Sequence, residues 1–136
     1  MYLLDTNVIS ELRKTKPHGS VVAWLQSVRE TDLLISAVTL GEIQRGIELT
    51  REQDTAKARQ IADWADRLSA THNILPMAAQ TFTVCTSLMH GKSNALYEDA
   101  MIAATALVHQ LTVVTRNVRH FAQFKVPLMN PFKALQ

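Results

Sequence analysis

Three observations in this 136-residue chain predict an α/β fold with a parallel sheet. Short apolar runs of strand length, Tyr2–Leu4, Leu33–Ile35 and Leu111–Thr115, are separated by longer segments whose apolar residues recur at helical spacing. Each of these runs ends in a small polar or acidic residue, Asp5, Ser36 or Thr115, suited to starting whatever follows. No internal repeat and no linker interrupts the alternation. Strands that alternate with helices pair in parallel, so one domain over residues 1–136 is expected.

Taken in order, the first strand is Tyr2–Leu4, and Asp5 stands at its carboxyl end. In open α/β sheets ligands bind in the crevice outside those ends, although Asp5 also suits the cap of the next helix. Val8 to Arg13 reads as a short helix that dissolves into the basic loop Lys14-Thr15-Lys16-Pro17-His18-Gly19. Ser20 is expected to cap a second helix carrying Val21, Trp24, Leu25 and Val28 on one face. Leu33–Ile35 is the second strand, closed by Ser36. From Val38 onward Leu40, Ile43 and Ile47 keep helical spacing, with Glu42 one residue off the stripe. Gly41 and Gly46 weaken that helix by about 1 kcal/mol each, and such glycines often mark close packing or close backbone approach.

Glu48 to Lys57 reads as a solvated helix end and turn. A helix from Thr55 to Ala70 follows, with Ala58, Ile61, Ala62, Ala65 and Leu68 inward and Asp63, Asp66 and Arg67 in water. Asn73–Leu75 stops at Pro76, as a brief or edge strand does. Met77 to His90 is expected to be a helix turning Ala78, Phe82, Cys85 and Met89 inward, ended by Gly91-Lys92-Ser93-Asn94. The helix Leu96 to Val108 is almost wholly small and apolar, so it must be buried on most sides, yet Asp99 lies in its first turn. Leu111–Thr115 is a buried strand. A last short strand over Val126–Leu128 precedes Asn130-Pro131.

Composition bounds the function. With 47% hydrophobic and 19% charged residues, four Gly and four Pro, the chain is globular rather than disordered. A net charge of +2 permits a nucleic-acid partner without demanding one. The single cysteine, Cys85, excludes an intrachain disulfide and suits a reducing cytoplasm. No apolar run reaches the ~20 residues of a membrane span, and no secretory leader is visible, so a soluble protein away from membranes is expected.

Asp5, Glu42 and Asp99 can all reach one edge of the sheet. Converging carboxylates with no Lys or Arg beside them in sequence raise one another's pKa unless a hard cation sits between them. An all-oxygen donor set without a Cys/His cluster suits Mg²⁺, or Mn²⁺, rather than zinc.

The segments Leu3-Leu4-Asp5-Thr6-Asn7, Ile35-Ser36-Ala37-Val38-Thr39-Leu40-Gly41-Glu42, Asp99-Ala100-Met101-Ile102-Ala103-Ala104-Thr105-Ala106 and Val114-Thr115-Arg116-Asn117, closed by Asn130-Pro131-Phe132, resemble the motifs of PIN-domain ribonucleases, specifically the VapC toxins of type II toxin–antitoxin pairs. The resemblance covers essentially the whole chain in order. It implies a PIN-like three-layer fold with a central five-stranded parallel sheet flanked by helices. It also implies a Mg²⁺- or Mn²⁺-dependent endoribonuclease leaving a 5′-phosphate and a 3′-hydroxyl. The implied partners are RNA, a cognate VapB-type antitoxin and a second copy of the chain, with DNA reached only through the antitoxin.

Carried over by position, Asp5, Glu42 and Asp99 match the family's first three acids, with Asp5 and Asp99 on the metal, and Thr6 and Thr115 match its small polar helpers. The fourth acid is missing: its two usual positions hold Asn117, whose amide oxygen could still bind a hard ion, and His120. Arg13, Lys14, Lys16, Arg45, Arg116 and Arg119 are candidates to follow the RNA backbone electrostatically. The substitutions at Asn117 and His120 leave one alternative, a PIN-like module that binds antitoxin or RNA with catalysis lost or reduced. Haloacid-dehalogenase-type phosphatases want an acid where Asn7 stands, and receiver domains want one where Pro76 follows Leu75. The four glycines supply neither a dinucleotide nor a P-loop pattern.

Overall fold

The computed structural model describes residues 1–133. Five parallel strands, β1 (Tyr2–Leu4), β2 (Leu33–Ser36), β3 (Asn73–Leu75), β4 (Thr112–Val114) and β5 (Leu128–Met129), form one sheet in the order β3-β2-β1-β4-β5. Seven α-helices connect them: α1 (Thr6–Ile9), α2 (Gly19–Ser27), α3 (Ala37–Arg51), α4 (Thr55–Thr71), α5 (Ala79–Met89), α6 (Tyr97–His109) and α7 (Val118–Ala122). β1 lies at the centre, in register with β2 through Leu4 opposite Ile35 and with β4 through Leu4 opposite Val114. The chain first builds outward from β1 to β2 and β3, then returns past β1 to β4. The sheet therefore reverses its winding between β1 and β4, and in such sheets that reversal opens a crevice at the carboxyl ends.

Alternation along each strand explains the three layers. Leu3, Leu34 and Val113 point to one face, where they pack with Cys85 of α5, Ile102, Ala103 and Ala106 of α6 and Phe121 of α7. Leu4, Ile35 and Val114 point to the other, against Val8, Val21, Trp24, Ile43, Ile47, Ile61 and Leu68 of α1 to α4. The small residues of α6 let it lie close on the sheet: Ala100, Ala103, Ala104 and Ala106 are fully buried. Gln110 in the left-handed conformation ends that helix before β4.

Several boundaries differ from those expected. α1 starts at Thr6, two residues early, because Asp5 accepts the Thr6 N–H at once. α2 is capped by the Nδ1 of His18, which accepts the Ser20 N–H at 3.3 Å, and Ser20 itself lies inside the helix. α5 begins at Ala79, and its inward residues are Thr81, Val84, Cys85, Leu88 and Met89. Phe82 is 44% exposed, and Ala78 is exposed too. Thr81, polar by type, occupies the buried position that an apolar count assigns to Phe82. The last strand is Leu128–Met129 rather than Val126–Leu128, since Val126 packs into the core before pairing begins. Gly41 and Gly46 mark open space: a Cβ on either would meet nothing within 4 Å.

Candidate active site

Asp5 is the fixed point of the site. Its backbone N–H donates to the Val114 carbonyl at 2.9 Å, prolonging the β1–β4 ladder by one step, and its carboxylate is then delivered into the crevice at only 4% exposure. One oxygen accepts the Thr6 N–H at 2.8 Å. The other accepts the Thr115 hydroxyl at 2.8 Å and the Asn7 side-chain amide at 3.1 Å. Burial pushes the Asp5 pKa up, and those hydrogen bonds oppose the shift.

Asn7 ties the two strand ends together. Besides reaching Asp5, its amide lies 3.4 Å from the Thr115 hydroxyl oxygen, and its carbonyl oxygen accepts the Arg116 N–H at 3.1 Å. Thr115, fully buried, also accepts the Asn117 N–H at 2.9 Å. In the sequence Asn7 stands out as part of a motif and as the place where another class of phosphatase would carry an acid. Its signal was its place two residues after the strand-end acid, where a side chain can fold back over the strand end.

Glu42 comes from α3. Ser36 caps that helix by accepting the Val38 N–H at 3.1 Å, which starts it immediately after β2 and carries Glu42 back over the crevice. Half-buried and facing the charges of Asp5, Glu98 and Asp99, Glu42 has its pKa pushed up to about 7 by burial first and by those charges second. A hydrogen bond from Thr6 partly offsets this. On one side of Glu42 a cleft of about 410 Å³ runs along Gly41, Arg45, Met77, Glu98 and Met101. On the other a cleft of about 190 Å³ runs along Thr6, Arg13, Gly46 and Trp64. The two glycines open the helix face toward these clefts.

Asp99 lies in the first turn of α6, half-buried, its pKa raised by burial and by the charge of Asp5. His120 Nδ1 stands 3.4 Å from its Oδ2 and pulls in the opposite direction. The three acids are thus brought into one electrostatic group, with Glu98 as a fourth negative charge that sequence reasoning missed despite its adjacency to Asp99. Glu98 is ion-paired to Arg45. Of the two residues standing for the absent acid, His120 faces Asp99 with its ring, and Asn117 joins the site through its backbone N–H to Thr115.

Among the candidate RNA-contacting cations, Lys14 pairs with the buried Glu11, Arg13 borders the smaller cleft, Arg116 lies over the Phe132 ring, and Arg119 is exposed on α7. Among the described residues no helix is long and apolar enough to cross a membrane. Nor do three or more His, Cys, Asp or Glu side chains among them close into a ready-made metal cage. The donor set nevertheless fits a hard divalent ion. It is all oxygen, the charge of Asp5 raises the pKa of both Glu42 and Asp99, and Mg²⁺ keeps several waters while using only one or two carboxylates directly.

A family model described as PIN domain matches residues 2–126. The chain is 35% identical to the toxin FitB of Neisseria gonorrhoeae over 97% of its own length and 99% of that protein. It is 31% identical to the VapC ribonuclease Y4jK of Sinorhizobium fredii, over 98% and 99% respectively. Among solved structures, the crystal structure of FitAcB from Neisseria gonorrhoeae matches with a TM-score of 0.85 at 34% identity, covering 97% of this chain and 99% of that one.

Proposed function

The chain belongs to the PIN-domain family, and from that premise we propose that it is a Mg²⁺- or Mn²⁺-dependent endoribonuclease, the toxin of a toxin–antitoxin pair. The observation that carries this reading is the electrostatic coupling of Asp5, Glu42 and Asp99 at the point where the sheet reverses its winding. Relatives named as a toxin and as a ribonuclease, alike over nearly their whole length, support it.

Asp5 and Asp99 would hold the cation, which supplies charge neutralisation at the scissile phosphate and acidifies water. Asp5 suits this role because three hydrogen bonds fix it before substrate arrives. Glu42, with a pKa near neutrality, is suited to take a proton from the attacking water. The Thr6 hydroxyl orients its carboxylate. Thr115 and Asn7 hold the geometry, and Arg13, Lys14, Arg116 and Arg119 attract the RNA backbone. The cognate partner is a small VapB-type antitoxin acting on a toxin homodimer in the cytoplasm, and DNA is reached only through that antitoxin.

The test is cleavage of single-stranded and structured RNA by the purified chain with Mg²⁺, with Mn²⁺ and in chelator. Cleavage that needs the ion and disappears in Glu42→Gln supports the reading. Cleavage indifferent to chelator overturns the metal-dependent mechanism, and none under any condition overturns the enzyme. Growth arrest on expression of the chain, relieved by co-expression of a small partner encoded beside it, tests the toxin assignment separately.

A further inference from the structure

We propose that Arg116, stacked on Phe132, forms a nucleobase-stacking subsite beside the acids, receiving an unpaired base next to the scissile phosphate. The inference rests on the ribonuclease reading and adds to it a part of the substrate that this face recognises.

The guanidinium carbon of Arg116 lies over the Phe132 ring, 4.5 Å from its centroid. The His18 ring meets the same phenyl ring at 5.2 Å and 66°, edge to face. Neither support is loose. Phe132 packs against the core layer that holds Val8, Val21 and Val114, and its N–H donates to Asn130 Oδ1 at 2.9 Å, with Pro131 buried between them. The His18 N–H donates to Oε1 of the buried Glu11 at 3.0 Å, and its ring accepts the Ser20 N–H. Three distant segments thus converge to hold one guanidinium that remains exposed to solvent.

Arg116 is also tied to the reacting end of the site. Its N–H donates to Asn7 Oδ1, and the amide of the same Asn7 donates to Asp5 Oδ2. The main chain that carries Arg116 is therefore anchored beside Asp5. A flat cation already stacked on one aromatic ring offers its other face to a second π-system, and nucleobases stack on arginine planes in single-stranded RNA complexes. The positive charge beside the base matches a flanking phosphate. The exposed Lys16 and Arg119 also favour a polyanion.

The test uses the full chain carrying Glu42→Gln, so that RNA binds uncut, and single-stranded oligonucleotides with 2-aminopurine placed in turn at each position around the cut mapped with the unsubstituted chain. One position should be quenched on binding. Phe132→Leu and Arg116→Lys should each abolish that quenching and weaken binding about tenfold, whereas Phe132→Tyr keeps both. In the active chain the same two variants should raise KM about tenfold and change kcat less than about twofold. Should Phe132→Leu fail to fold by circular dichroism, Arg116→Lys, an exposed change that keeps the charge, decides alone. Quenching undiminished in Arg116→Lys overturns the subsite and leaves the ribonuclease reading standing. An oligonucleotide neither bound nor cut by the unsubstituted chain overturns both.

Discussion

The Thr115 hydroxyl donates to Asp5 Oδ2 across 2.8 Å, joining two strand ends 110 residues apart in sequence at the one place where the sheet reverses its winding. The same oxygen accepts the Asn117 N–H, so a single buried hydroxyl orients the first acid and the start of the loop that carries Arg116. Thr115→Val removes both interactions without removing bulk. The cost should be about 1–3 kcal/mol, read as a lower urea midpoint, because a buried carboxylate oxygen loses a donor and an N–H loses its acceptor. Thr115→Ser should recover most of it. Equal midpoints for Val and Ser would mean that the hydroxyl does not hold the strand ends.

The charges in the crevice give stability a definite pH slope. Glu42 has a folded pKa of about 7 against an ordinary value of 4.5, so the folded state binds its proton more tightly than the unfolded state does. Stability is then highest below the unfolded value and falls as pH rises from about 4.5 through about 7. Asp5 and Asp99, both raised, add the same sign at lower pH. In chelator, the melting temperature of the unsubstituted chain should fall across that window, and Glu42→Gln should flatten the fall above pH 5 or so. Mg²⁺ should restore stability on the alkaline side only while the acids remain. A melting temperature that climbs with pH there would contradict the coupling.

Much of the fold was legible because its signals are local and periodic. Leu33–Ile35 and Leu111–Thr115 read as strands, and Ala58, Ile61 and Leu68 are buried as the spacing requires. What escaped depends on partners distant in sequence. Phe82 looks inward by type, yet the turn of α5 that meets α6 buries Thr81 and leaves Phe82 at 44% exposure. His18 outcompetes Ser20 as a cap only because Glu11 holds its backbone. In the site, Asp5, Glu42 and Asp99 were visible as strand-end and helix-start acids. Asn7 and Glu98 were overshadowed because their roles appear only when β1, β4, α3 and α6 are placed together.

Asp99→Asn should abolish metal-dependent cleavage and leave the chain folded. α6 takes no side-chain cap from Asp99, and its stability comes from the buried alanine face, so the amide costs the helix little. Asp99 has its pKa raised by burial first and by the charge of Asp5 second, so removing its charge should make the metal-free variant melt no lower than the unsubstituted chain at pH 7.5 or so. Adding Mg²⁺ should reverse that order, since only the unsubstituted chain gains from binding. A metal-free variant clearly less stable than its parent would make Asp99 a structural residue first.

The final prediction separates the two residues standing where a fourth acid would be expected. His120 Nδ1 faces Asp99 Oδ2 at 3.4 Å, so the ring competes for the carboxylate that the cation would also need. A ring seated on that oxygen should raise the Mg²⁺ concentration required for half-maximal cleavage. His120→Ala should lower that concentration and leave the rate at saturating Mg²⁺ unchanged. Asn117 behaves differently, because its backbone N–H, bonded to Thr115, places it at the mouth of the crevice whatever its side chain. Asn117→Asp adds an anionic oxygen ligand there and should lower the half-maximal Mg²⁺ concentration across the whole pH range, a carboxylate being the better hard-ion donor. Mg²⁺ titrations of the two variants beside the unsubstituted chain read both effects at once. A half-maximal concentration unmoved by His120→Ala would take the ring out of the ion site, and a titration unmoved by Asn117→Asp would leave Asp5, Glu42 and Asp99 as the whole of that site.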